Sequence, residues 1–547
     1  MTNKDLANLL FPNINKTIED YETIYPKRNL DTDAIVTRYA PSPTGFIHIG
    51  ALLAAFVGGA FSRQTNGVFY LRIEDTDTKR TIDNGISLII NGLKEFGVTF
   101  DEGPIDDNNS IGNYGPYIQS ERKEIYQTYA KHLVELGLAY PCFCSEEEIE
   151  NIRNTQAHRK SRIGYYGKWA KCRSLSIEEA CERIKKGEKP VIRLRSNGDY
   201  DNKIICHDEI RGDVTFPEND LDIVIIKSDG LPTYHFAHAI DDHLMRSTHI
   251  IRGDEWLSSL PIHLQLFDML GFERPKYAHI SPLSKIDEET GNMRKLSKRK
   301  DPEAAMSYYH ELGIPYEAVV IYLATIASSD FEEWMMQNPD KTVNDFKFDF
   351  SRMSKSGALF DLDKLNNICK NYISRLTAKE LYDKVKTYLL EYNEDFYKIF
   401  TEDEEYSCSV LNIERNSKKP RKDIGKYSDV YENVYYMYDS LFEPKYENLS
   451  LNADMYIDYI ENGFNVETEN WFNDISEFAR KYNYVSMKEY KNDPLEYTGN
   501  ISEFCEGLRY IVTGKTQTPS LQEILTILGK ERVLNRLNNY KDISKRS

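Results

Sequence analysis

The stretch from Ala34 to Ile73 constrains the fold most. Ala34 to Tyr39 is a short β-branched run that predicts a strand, Pro41-Ser42-Pro43-Thr44-Gly45 a turn, and Ile49 to Ser62 a helix of small residues suited to close packing. Val68 to Ile73 predicts a second strand, so about forty residues complete a βαβ unit and imply one half of a parallel sheet. A second such unit is expected near the middle of the chain. There Asp222 to Lys227 predicts a strand, Phe236 to Arg246 a helix and Thr248 to Arg252 another strand, with Gly230 and Pro232 marking the first turn. The sheet is then split by an insertion from roughly Gly115 to Leu231, which carries amphipathic helices at Glu121 to Leu136 and Glu146 to Thr155 and a strand near Val191 to Arg195.

From Asp301 onward the apolar spacing is helical, as in Asp363 to Ile373, Ala378 to Leu390 and Ser520 to Leu537. The acidic, tyrosine-rich stretch Tyr427 to Tyr490 is expected to supply core, because aromatics at helical spacing usually do. With 547 residues the chain exceeds what one core supports, so two to four domains are expected. Its first thirty residues are interrupted by Lys4, Asp5, Glu19, Asp20 and Glu22, unlike a secretory signal, and no apolar run is long enough to span a membrane. A cytoplasmic location is expected. A net charge of -18 argues against a protein that coats nucleic acid indiscriminately but allows a selective partner in a local basic groove.

Two segments carry chemistry. His48-Ile49-Gly50 opens a helix, whose unpaired backbone N–H groups favour an anion; His48 can donate to a phosphate oxygen, and Gly50 lets a flat base or phosphate approach the backbone. Lys295-Leu296-Ser297-Lys298-Arg299-Lys300 places four cations in six residues. Either segment alone reads as an ordinary loop; together they suit the triphosphate of ATP and a leaving pyrophosphate.

The pair resembles the two signature motifs of class I aminoacyl-tRNA synthetases. TRYAPSPTGFIHIG, LRIEDTD, TYHFAHAIDDHLM and IIRGDEWL, in that order, are similar to the bacterial-type glutamyl-tRNA synthetases, as is the closing LRYIVTGKTQTPSLQEILTILGKERVLNRL. The resemblance implies an α/β fold: a Rossmann-like parallel sheet (34–114 and 232–285) split by an inserted acceptor-stem-binding domain (115–231). A stem-contact domain with the basic loop (286–375) and an all-α anticodon-binding half (376–547) then follow, and an extension of 33 residues stands before them, outside the resemblance. It implies ATP as substrate, Mg2+ at its phosphates, glutamate and tRNA(Glu) as partners, with tRNA(Gln) a further one, and a monomer. Catalytic roles fall to His48, Lys295 and Lys298; ATP contacts to His48, Gly50, Glu255, Lys295, Ser297 and Lys298; glutamate contacts to Arg38, Ala40, Ser42, Glu74, Tyr234, His238 and Arg252.

His238 stands where the glutamyl branch usually carries asparagine and is similar to the glutaminyl branch instead. Arg252 points the other way, since a buried arginine facing a neutral amide would leave its charge unpaired, so glutamate is preferred over glutamine. Cys142, Cys144 and Cys172 resemble the zinc knuckle of some members, but Ser174 replaces a histidine and Tyr165 and Tyr166 are farther from Cys172 than the family's tyrosine ligand. Buried thiols are therefore preferred to zinc. Glutaminyl-tRNA synthetase is the alternative enzyme and an inactive tRNA-binding paralogue the alternative from another class; intact His48, Gly50, Lys295 and Lys298 argue against the second.

Overall fold

The computed structural model describes residues 1–44, 47–77, 82–297, 299–445, 451–465 and 470–545. Lys298, assigned above to ATP, lies outside them. The chain divides into two compact units, one of 1–308 with 320–361 and one of 309–319 with 362–547.

The first unit is built on the expected parallel strands. Val36–Tyr39 pairs in parallel with Val68–Leu71, and His249–Gly253 with Lys276–Ile280. The two pairs meet where the Thr248 amide donates to the Val36 carbonyl at 2.9 Å. The helix Ile49–Gln64 covers them and is buried along most of its length. Its small residues are needed for that: a Cβ on Gly58 would stand 2.9 Å from the ring of Phe69 on the second strand.

One expectation fails. The run Asp222 to Lys227 does not join the parallel sheet; its ordered part, Val224–Ile226, pairs antiparallel with Val191–Leu194, which pairs in turn with Ala139–Cys142. A short apolar run carries no information about which sheet it enters. The parallel sheet instead gains the hairpin Lys203–Asp208 and Gly212–Pro217, which docks on its edge through the pair Tyr277 and Asp208.

The first 33 residues are ordered as well. Thr2 and Thr17 each close a capping box on the short helices Asn3–Leu10 and Ile18–Ile24. Leu6, Ala7, Phe11, Ile14, Tyr21 and Tyr25 join one core with Tyr126, Tyr129, Leu133 and Phe236.

The second unit is mainly helical, including Leu362–Arg375, Ala378–Tyr392, Ile501–Thr513 and Leu521–Ser544, the last broken at Gly529. The tyrosine-rich stretch supplies core as expected: Tyr436, Tyr438, Tyr456 and Tyr459 are all buried in this unit's hydrophobic cluster. Among the described residues no helix is long and apolar enough to cross a membrane.

Candidate active site

The helix Tyr234–Leu244 carries two adjacent aspartates, both buried. Buried carboxylates need cations and donors, and each has them. Asp241 accepts from Arg122 Nε at 2.7 Å, Tyr126 Oη at 2.8 Å and Gln119 Nε2 at 2.9 Å. Asp242 accepts from Arg38 Nε at 2.9 Å and Nη2 at 3.2 Å, and from Arg72 Nη1 at 2.7 Å. Burial opposes ionisation of Asp242, but Arg38 and Arg72 outweigh it and hold the carboxyl well below the usual range.

This network gathers several residues singled out in the sequence. Arg72 Nη2 also donates to Glu74 Oε1 at 3.0 Å, and burial raises the Glu74 carboxyl despite that arginine. The Glu74 amide donates to the Pro41 carbonyl at 2.9 Å, which ties the loop holding half-buried Ala40 and exposed Ser42 beside it. His238 Nδ1 lies 2.8 Å from Asp242 Oδ2 but off the hydrogen-bonding direction, and its Nε2 is 3.2 Å from Tyr277 Oη. Burial lowers the His238 pKa to about 3 even against Asp242, so the ring is neutral. Arg38, assigned above to the substrate, reaches the pocket with its Nε–Nη2 edge already on Asp242.

Arg252 differs. It is the last but one residue of the strand His249–Gly253 and is 6% exposed, yet among the described residues no carboxylate pairs with it. Its partners are His279 Nε2 at 3.0 Å, Tyr234 Oη at 3.2 Å, His263 Nδ1 at 3.2 Å and the Trp256 carbonyl at 3.4 Å. Burial, then neighbouring His238 and Arg252, pushes His263 well below its ordinary pKa, and burial followed by Arg252 takes His235 to about 4. Burial lowers His279 as well, so both imidazoles, the Tyr234 phenol and the Trp256 carbonyl are neutral acceptors, and no carboxylate among the described residues meets this buried guanidinium directly.

The expected phosphate site sits at the start of the Ile49–Gln64 helix. His48, not Gly50, caps it: His48 Nδ1 accepts from the Gly50 amide at 2.9 Å. One of the helix's open donors is therefore used by the protein itself. A neutral imidazole that accepts at Nδ1 carries its proton at Nε2. A Cβ on residue 50 would stand 3.2 Å from His48 Nδ1, so glycine is what lets the ring fold over the helix start.

In the basic segment, Lys295 ends the short strand Met293–Lys295 and lies 3.3 Å from Glu255 Oε2, both half exposed. Lys295 and Glu255, assigned together to ATP, are thus brought together. The Ser297 amide donates to Asp301 at 2.9 Å, and Asp301 takes two bonds from Arg294, which lowers its pKa to about 2.

The cysteine cluster closes more tightly than the sequence spacing suggests. Cys142, Cys144 and Cys172 bring their sulfurs within 4.8 Å of one another. Tyr165 Oη joins them, 3.5 Å from Cys142 Sγ and 3.3 Å from Cys144 Sγ. Sequence spacing placed Tyr165 too far from Cys172; the short turns Gly167–Trp169 and Lys171–Ser174 fold the intervening chain back, and the Cys172 amide donates to Tyr165 Oη at 3.0 Å.

Sequence reasoning missed Asp242, Arg72, Asp208, His263 and His279. Asp242 left a signal, since adjacent acids within the apolar helix FAHAIDDHL imply buried cations. His263 left a fainter one in the apolar LPIHLQLF, and Asp208 and His279 left none in their local sequence.

Comparison with known proteins agrees with this geometry. Residues 34–367 match the family of tRNA synthetases class I (E and Q), catalytic domain, and residues 496–541 an anticodon binding domain. The chain belongs to the class I tRNA synthetases of the glutamate and glutamine group. It is 47% identical to a Glutamate--tRNA ligase of Clostridium perfringens over 551 residues, covering 99% of this chain and 100% of that one. It is 46% identical to that of Acetivibrio thermocellus, covering 98% and 99%. The structure of Glutamate-tRNA Synthetase from Elizabethkingia anophelis superposes with a TM-score of 0.73 at 25% identity, covering 93% of this chain and 100% of that one. Within the class, its branch is that of the glutamate--tRNA ligases.

Proposed function

We propose that this chain uses ATP to attach glutamate to tRNA(Glu) in two steps. The α-carboxylate of glutamate attacks the α-phosphorus of ATP and releases pyrophosphate; the terminal ribose of the tRNA then takes the glutamyl group and releases AMP. Neither step needs a protein nucleophile, so catalysis rests on positioning and on stabilising charge. The observation that carries the specificity is Arg252, a buried guanidinium with four neutral partners. A side-chain carboxylate supplies its missing anion, which a neutral amide cannot do.

Glu74 is assigned the substrate ammonium, with Ala40 and Ser42 lining the same end. His48 and the helix start beside Gly50 are assigned the ATP phosphates, and Lys295, Ser297 and Lys298 the pyrophosphate. Glu255 holds Lys295 near that path until ATP arrives. Mg2+, when bound with ATP, shares the charge of the phosphates. The segment 115–231 is assigned the acceptor stem and the helical unit the anticodon, read through unstacked bases. The chain is assigned as a monomer.

Charging purified tRNA with labelled glutamate tests the proposal: glutamyl-tRNA(Glu) is expected, and glutaminyl-tRNA(Gln) formed from glutamine would overturn it. The same assay with glutamate and tRNA(Gln) sets the range of tRNA partners.

A zinc ion fits Cys142, Cys144, Cys172 and Tyr165, since three clustered thiols and a phenol oxygen make four ligands. Its part is to tie the strand Ala139–Cys142 to the turns around Cys172. About one zinc per chain is expected by elemental analysis, with Cys172→Ser lowering it sharply. Zinc-free protein carrying four unmodified ligands would contradict this.

A further inference from the structure

Resting on the reading of Arg252 above, we infer that Asp208 and His279 form a positioning pair that fixes the plane of the Arg252 guanidinium for the substrate's side-chain carboxylate. Arg252 can only donate, so His279 Nε2, 3.0 Å from Arg252 Nε, must accept. The ring proton therefore sits on Nδ1 and is donated to Asp208 Oδ2 at 2.7 Å. Asp208 is fully buried and acts only as an acceptor: its Oδ1 takes the amides of Ile210 at 3.0 Å and Arg211 at 2.9 Å, and Oδ2 also takes the His279 amide at 3.0 Å. Four donors leave the carboxylate no freedom to rotate, and it locks the tautomer of the ring.

The neighbouring arginines give the contrast. Arg38 and Arg72 lie directly on Asp242, and Arg122 directly on Asp241. At Arg252 an imidazole stands between guanidinium and carboxylate. That separation orients the arginine without neutralising it, so its charge remains for the ligand. The device also explains the hairpin on the sheet edge: Asp208, the last residue of its first strand Lys203–Asp208, is the anchor, set against the strand Lys276–Ile280 that carries His279.

The test is the KM for glutamate, with the KM for ATP measured alongside, in three variants of the full chain. His279→Leu removes the acceptor and is expected to raise the glutamate KM about tenfold or more, with the ATP KM within about twofold. His279→Gln can still offer an oxygen to Arg252 and is expected to stay within about threefold of the parent. Asp208→Asn keeps its oxygen on the Ile210 and Arg211 amides and turns its N–H toward His279 Nδ1; the ring proton then moves to Nε2, where it faces the donor of Arg252, and the glutamate KM rises about tenfold or more. Should this last variant not fold, the two His279 variants still decide. Equal glutamate KM values in His279→Leu and His279→Gln, or glutamate and ATP values rising together, would overturn the pair's role. A parent chain that does not use glutamate at all would instead overturn the reading of Arg252.

Discussion

Replacing Arg252 with alanine is expected to raise the KM for glutamate by about thirtyfold to a few thousandfold while moving that for ATP by less than about threefold. Removing one member of a buried, hydrogen-bonded charge pair costs about 2–5 kcal/mol, and about 1.4 kcal/mol is a factor of ten. The arginine's present partners are two imidazoles, a phenol and a carbonyl, so truncating it strands no buried protein charge. The loss therefore falls on the substrate and not on the fold. Arg252→Lys is expected to lose most of the same affinity, because an ammonium is a point charge without the planar set of donors that the two imidazoles, the phenol and the carbonyl hold in place. A glutamate KM within about fivefold of the parent in Arg252→Ala would show that the side-chain carboxylate is held elsewhere.

The second large effect is on stability. Asp242→Ala leaves Arg38 and Arg72 without the carboxylate both rest on, at a site where all three side chains are at most 4% exposed. Breaking a buried pair in this way costs about 3–5 kcal/mol, a large part of a domain's stability. Urea unfolding of the unit that holds Asp242 should shift to a clearly lower midpoint. Asp213, exposed beside His207, is the control: its alanine variant is expected to change stability by less than about 0.5 kcal/mol. Equal midpoints for the two variants would mean that the Asp242 network does not hold the fold.

These two residues mark how far the sequence could be read. Arg252 was visible because it sits in a motif, IIRGDEWL, whose first residues lie in a strand marked by its β-branched residues. Its isolation from acids was not visible, because it depends on His263 and His279 from other elements. Likewise Arg38 was legible as a pocket residue, but not as a partner of Asp242, 204 positions away. The first βαβ unit was legible because strand, turn and small-residue helix follow each other locally. The second was not, because Val224–Ile226 is apolar enough for either sheet and only its pairing with Val191–Leu194 decides. PCFCS announced two thiols, while Tyr165 reaches them through turns whose compactness no spacing rule predicts.

The capping role of His48 was also out of reach. The motif announced an anion site, and the structure adds that the ring itself accepts the Gly50 amide at the helix start.

On the proposal above, a buried, unneutralised arginine selects glutamate for activation by ATP. The most direct test is exchange of labelled pyrophosphate into ATP by the purified chain, with tRNA(Glu) present and with glutamate or glutamine as the amino acid. Exchange with glutamate and none above background with glutamine is the predicted result; exchange with glutamine but not with glutamate would contradict the account.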